Sequence, residues 1–155
     1  MYPARKRILV VDDDPDARIF LSNLLEANHF QSICAETGAE GLAKARVARP
    51  ALIILDAMLP RKEAIQVYRR IKSDDALKHI PVIMLSVLNR KTLFLYEKLP
   101  GPQIGPQTGP DVPEPEAYLE SPPEAEDLLA LVRSLTETRP GSEEIDSSFQ
   151  RPSKE

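Results

Sequence analysis

Two groups of acids and one hydroxyl carry the chemistry open to this sequence. Asp12-Asp13-Asp14 follows the unbroken apolar run Ile8-Leu9-Val10-Val11, and Asp56 follows Ala51-Leu52-Ile53-Ile54-Leu55. A third such run, Pro81-Val82-Ile83-Met84-Leu85, ends in the hydroxyl of Ser86. Carboxylates gathered in a partly dry site repel one another, and a small divalent cation relieves the repulsion. Oxygen-only ligands at a solvent-open edge suit Mg2+, which keeps several waters and takes few protein ligands. No His or Cys lies beside these acids in sequence to suggest zinc, and His29 and His79 both fall at expected helix ends. A carboxylate beside Mg2+ can attack phosphorus to give an aspartyl phosphate, a reaction in which most of the catalysis is positioning. A hydroxyl at Ser86 would then donate to the new phosphoryl oxygen and draw the following loop inward.

That chemistry requires the three runs to end at one place. Short apolar runs rich in β-branched residues and stopped by polar groups read as fully buried strands. Between them the pattern is helical. Asp14 is suited to cap a helix opened by Pro15, with Ala17, Phe20, Leu21, Leu24 and Leu25 as its buried stripe, ending at Asn28-His29. Gln31 to Glu36 reads as a strand near the sheet edge, and Thr37-Gly38 as a turn. Ala39, Leu42, Ala43 and Val47 form a weaker helical stripe before Pro50, and Ile65, Tyr68 and Ile71 suggest a third helix that ends near Ser73-Asp74-Asp75. Regular structure resumes at Glu116 to Glu120, and Pro122-Pro123 opens a last helix with Ala125, Leu128, Leu129, Val132 and Leu135 inward. Strands alternating with helices imply an α/β fold, a parallel sheet with helices on both faces. Ligands of such sheets bind beyond the carboxyl ends of the strands, where Asp12, Asp13, Asp56 and Ser86 fall.

Composition bounds the alternatives. The chain has 155 residues, enough for one domain with its own core, and a formal net charge of −4, which is not the basic footprint of a nucleic-acid binder. One Cys, Cys34, excludes an internal disulfide and fits a reducing, cytoplasmic setting. No apolar run is long enough to span a membrane, and the basic start, Met1 to Arg7, lacks the apolar region of a signal peptide. The domain is expected over residues 5–137, with 138–155 as a polar, disordered tail. Within the domain, Leu88 to Leu99 reads as a short helix at most. It is followed by a Pro/Gly-rich insert over about 98–116 in which Gly-Pro-Gln recurs every fourth residue, unlike collagen's period of three.

The chain resembles the receiver domain of two-component response regulators, in an atypical form. The resemblance rests on Ile8-Leu9-Val10-Val11-Asp12-Asp13-Asp14-Pro15, Leu55-Asp56-Ala57-Met58-Leu59-Pro60, Pro81-Val82-Ile83-Met84-Leu85-Ser86 and Ala117-Tyr118-Leu119-Glu120-Ser121-Pro122. These blocks occur in the family's order and nearly its spacing. The resemblance implies a flavodoxin-like, doubly wound sheet of five parallel strands in the order 2-1-3-4-5, with the region of the family's fourth helix irregular. It implies that Asp56 is the phosphoryl acceptor. Asp13, with Asp12 through water and the backbone carbonyl of Met58, would hold Mg2+. Ser86 would be the switch hydroxyl and Tyr118 the switch aromatic. The implied partners are a sensor histidine kinase or a histidine phosphotransfer protein and a downstream protein of unknown identity; homodimerisation is left open.

The sequence departs from the family at several places. Ser121 stands where the family has the Lys that pairs with the phosphoryl group, Val87 follows the switch hydroxyl where a small residue is usual, and Ala64 replaces the usual Gly of the loop after the acceptor. Reading Lys98-Leu99-Pro100 as the Lys-Pro pair leaves too few residues after Ser86 for a helix and strips the last helix of its strand. The expected function is therefore a single receiver domain signalling by partner binding. The alternative is a degenerate receiver, an interaction module independent of phosphorylation. An Asp-nucleophile phosphohydrolase would carry a second acid two residues after the nucleophile, where this chain has Met58.

Overall fold

The computed structural model describes residues 4–60, 63–87 and 113–137. Five strands, β1 (Lys6–Val11), β2 (Phe30–Ala35), β3 (Leu52–Asp56), β4 (Val82–Ser86) and β5 (Ala117–Glu120), pair in parallel in the order β2-β1-β3-β4-β5. The α/β, flavodoxin-like topology expected from the sequence is the one observed. Among the described residues the helices are α1 (Pro15–Ala27), α2 (Gly38–Ala48), α3 (Glu63–Ser73) and α4 (Ala125–Thr136). The expected short helix from Leu88, most of the Gly-Pro-Gln insert and the tail lie outside the described residues.

The two faces of the sheet carry separate apolar layers. On one, Ile8, Val10, Leu52, Ile54, Ile83 and Leu85 pack with Leu21 and Leu25 of α1 and Leu128 and Val132 of α4. On the other, Leu9, Val11, Ile53, Leu55, Val82 and Met84 meet Leu42 and Ala45 of α2 and Ala64, Val67, Tyr68 and Ile71 of α3. β1, β3 and β4 therefore alternate their side chains between two buried layers, which is why they read as solid apolar runs. Each fully buried Leu or Ile side chain contributes about 1.5–3 kcal/mol of transfer free energy. That driving force holds the central strands' exits in line.

The helix stripes differ in detail from the periodic expectation. In α1, Leu21 and Leu25 are buried, but Phe20 is 43% exposed. In α2 the buried face is Gly38, Gly41, Leu42 and Ala45, whereas Ala39, Ala43 and Val47 point outward. The reason is steric. A Cβ on Gly41 would lie 2.7 Å from Val11 Cγ2 and one on Gly38 2.6 Å from Val67 Cγ2, so α2 approaches β1 through Gly41 and α3 through Gly38, and of the expected stripe only Leu42 enters the core. Thr37 is the N-cap of this helix rather than a mere turn residue, its hydroxyl accepting from the Glu40 amide at 3.0 Å. In α3 the buried positions are Ala64, Val67, Tyr68 and Ile71 rather than Ile65, and Ala64 lies inside the helix, not in a loop before it. In α4, Leu131 and Leu135 flank the buried pair, and Leu129 stands outside that packing.

Candidate functional site

β1 and β3 are neighbours in register, with Val11 opposite Leu55. Each strand's next residue is thus an acid at the same edge. Carboxylate oxygens of Asp12, Asp13 and Asp56 lie within 4.8 Å of one another, with Asp12 buried, Asp56 half-buried and Asp13 exposed. Of all the expectations from the sequence, this convergence carries the most, because Asp13 and Asp56 are 43 residues apart in the chain.

The acids of the first group have separate tasks. The Asp14 amide donates to Asp12 Oδ1 at 3.0 Å, and Asp14 Oδ1 accepts from the Asp16 amide at 3.0 Å, capping α1. The Asp12 amide donates to the Ala35 carbonyl at 3.1 Å, and Arg18 Nη1 donates to the Asp12 carbonyl at 2.7 Å. Asp13 is left with its side chain toward solvent. At the end of β3, the Met58 amide donates to Asp56 Oδ1 at 2.9 Å and the Ala57 amide to the Leu85 carbonyl at 2.7 Å. The Met58 side chain packs against the apolar layer.

Among the described residues, burial and the site's own acids dominate its electrostatics. Burial, reinforced by the charges of Asp12 and Asp13, pushes the Asp56 carboxyl up to about 7, against the downward pull of the Met58 amide. Burial also raises Asp12, with the charges of Asp13 and Asp14 adding to it. Three oxygen donors, two of them pushed toward the protonated form by burial and by mutual repulsion, fit a hard divalent cation. The backbone at Met58 lies beside Asp56, held by the same turn.

Ser86 is the last residue of β4 and is 2% exposed. It stands one position beyond the Asp56–Leu85 pair, at the same edge as the acids. The amide of Ser121 donates to the Ser86 carbonyl at 2.9 Å, so Ser121 borders the site, as the favoured register of the last strand required. Tyr118 is half-buried in β5, opposite Met84 and packed against the layer that holds α2 and α3. It lies three residues before Ser121, away from the strand end. His29 and His79 are both exposed, and Val87 is 64% exposed. Arg18 has no signal in the sequence: a cation in a first helical turn reads as solvated, and only the fold brings it to the Asp12 carbonyl.

The model of the response regulator receiver domain matches residues 8–95, more than half of the chain. The chain is 30% identical over 129 residues to Protein PilH of Pseudomonas aeruginosa, covering 83% of this chain and 96% of PilH. It is 34% identical over 129 residues to the DNA-binding dual master transcriptional regulator RpaA of Synechocystis, covering 83% of this chain but only 48% of that relative. In fold it is similar to the chemotaxis protein CheY4 of Vibrio cholerae, with a TM-score of 0.69 at 24% identity over 85% of this chain and 99% of that one. Strand order, an acid cluster at the carboxyl edge, and agreement with the family over that span lead to one conclusion: the chain belongs to the response regulator receiver domain family.

Proposed function

We propose that this chain is a single-domain receiver that accepts a phosphoryl group on Asp56 from a phosphohistidine of a histidine kinase or phosphotransfer protein, in a Mg2+-dependent reaction. The observation that supports it is the convergence of Asp12, Asp13 and Asp56. Asp12 and Asp13 with Asp56 and the Met58 carbonyl would hold the cation, which when bound neutralises charge on the transferring phosphoryl group. The carboxylate of Asp56 attacks phosphorus, the new O–P bond forms as the donor's N–P bond breaks, and the electron pair leaves on the imidazole nitrogen. The Met58 amide fixes one Asp56 oxygen and so orients the other toward the donor. The buried Ser86 hydroxyl would then take the new phosphoryl group as hydrogen-bond acceptor, and Tyr118 would follow the loop's movement. Signalling by contact with a downstream protein fits a chain that matches PilH over nearly its whole length.

A second reading is favoured by Ser121. It supplies no cation where the family's Lys would pair with the phosphoryl group, so the domain would act as an interaction module without phosphorylation. Incubation with Mg2+ and acetyl phosphate, followed by intact mass, separates the two. The expected result is a one-phosphoryl mass gain, acid-stable and base-labile, that is absent without Mg2+ and in Asp56→Asn. No gain at any pH sinks the phosphoacceptor reading and leaves the interaction module.

A further inference from the structure

We propose that Arg18 is a positioning residue for the cation site: by holding the Asp12 carbonyl it keeps the Asp12-Asp13 peptide in the geometry that divalent-cation binding needs. The inference rests on the reading of Asp12, Asp13 and Asp56 as that site.

Arg18 is a charged side chain that is only 17% exposed. A guanidinium withdrawn from water must find acceptors. Its short contact is Nη1 to the Asp12 carbonyl oxygen at 2.7 Å, a charge-assisted hydrogen bond. The other contact, Nη2 to Glu36 at 3.7 Å, reaches a carboxylate that is 69% exposed and contributes little. The Asp12 amide is tied to the Ala35 carbonyl and its Oδ1 to the Asp14 amide. Arg18 therefore supplies the side-chain restraint on the Asp12 carbonyl, which acts on the peptide leading into Asp13.

That restraint matters because the loop is under load. With no cation bound, Asp12, Asp13 and Asp56 repel within 4.8 Å, and the exposed Asp13 is free to swing outward with its backbone. Fixing the Asp12 carbonyl fixes the plane of the peptide that carries Asp13, so the cation meets a site already formed. The Arg18 contact falls on the backbone carbonyl of Asp12 and not on its carboxylate, so its contribution is to backbone geometry. Outer-shell groups of this kind typically change metal affinity by about 10–100-fold.

The test is a Mg2+ titration of the full chain at fixed pH, followed by the amide NMR signals of Asp13, Asp14 and Met58, with thermal unfolding in parallel. Arg18→Ala is expected to raise the Kd for Mg2+ about tenfold or more. Arg18→Gln keeps most of the stem packing and is expected to do the same, which covers the case where the alanine variant fails to fold. Arg18→Lys retains a cationic donor and is expected within about threefold of wild type. Glu36→Gln should leave the Kd unchanged. Wild-type affinity in a folded Arg18→Gln protein overturns the proposal alone. A wild-type chain that shows no Mg2+ response at millimolar concentrations overturns the site itself and this inference with it.

Discussion

At the scale of single residues, the site is defined by a conflict between burial and charge. Asp56 carries a carboxyl pushed to about 7, so in the folded protein it holds a proton at pH values where an unfolded chain's aspartate, titrating near 4, has lost it. Protonation therefore favours the fold. That stabilisation is fully present below about pH 4 and is lost as pH rises through about 7. Wild type should lose stability relative to Asp56→Asn across that window, and saturating Mg2+ should flatten the difference by supplying the missing positive charge. Thermal midpoints of both proteins from pH 4 to 8 measure it; parallel curves without the metal would contradict the account. The same conflict explains why Ser121 matters. The family's Lys would lie by Ser86, and on the proposed phosphoacceptor reading a serine there would leave a phosphoryl group on Asp56 one cation short.

At the scale of elements, α2 shows how a helix can be docked through what it lacks. Gly41 sits against Val11, whose β-branched side chain is stiff and wholly buried. Gly41→Ala adds a methyl that would lie only 2.7 Å from Val11 Cγ2, which forces either the helix or β1 to shift. Overpacking of that kind costs about 1–3 kcal/mol, and the better helix propensity of Ala returns up to about 1. A net loss is expected, seen as a lower urea midpoint with an unchanged slope. Because Val11 adjoins Asp12, weaker Mg2+ binding should accompany it. A stabilised Gly41→Ala protein would show that the helix moves aside freely. The misassigned stripe of α2 has the same origin. Counting apolar side chains finds Ala39, Leu42, Ala43 and Val47, of which only Leu42 enters the core, beside Gly38, Gly41 and Ala45.

At the scale of the whole molecule, the described residues form one two-layered domain whose apolar clusters end at Leu135. Among those residues no helix is long and apolar enough to cross a membrane. Among the described residues neither apolar layer uses a side chain beyond Leu135. A chain ended at Glu137 should keep its thermal midpoint within about 2 °C of the full chain, a change of under about 1 kcal/mol, and should bind Mg2+ equally well. A larger drop would place part of the tail in the packed domain. The 25-residue span from Leu88 to Val112 separates β4 from β5, yet β5 still pairs beside β4 in register. One reason lies in Glu116, whose carboxylate accepts from the Val82 amide at 2.8 Å and pairs with the buried Lys72 at 3.2 Å. Those contacts anchor the return of the chain whatever the intervening length.

Much of this was legible before any coordinates, for reasons of pattern. Three solid apolar runs can only be strands buried on both faces, and strands that alternate with helices give a parallel sheet whose carboxyl edge must receive Asp12, Asp13, Asp56 and Ser86. The order of elements and the identity of the acids followed from local chain properties alone. Three things were settled only by tertiary structure. The helical faces depend on which surface fits a neighbour, so Phe20 and Val47 ended outside although their spacing suited the core. The protonation of Asp56 depends first on its burial and then on the charges of Asp12 and Asp13, which the fold brings in on the neighbouring strand β1. And Arg18 became part of the site through a hydrogen bond to a backbone carbonyl, a partner that no residue spacing can announce.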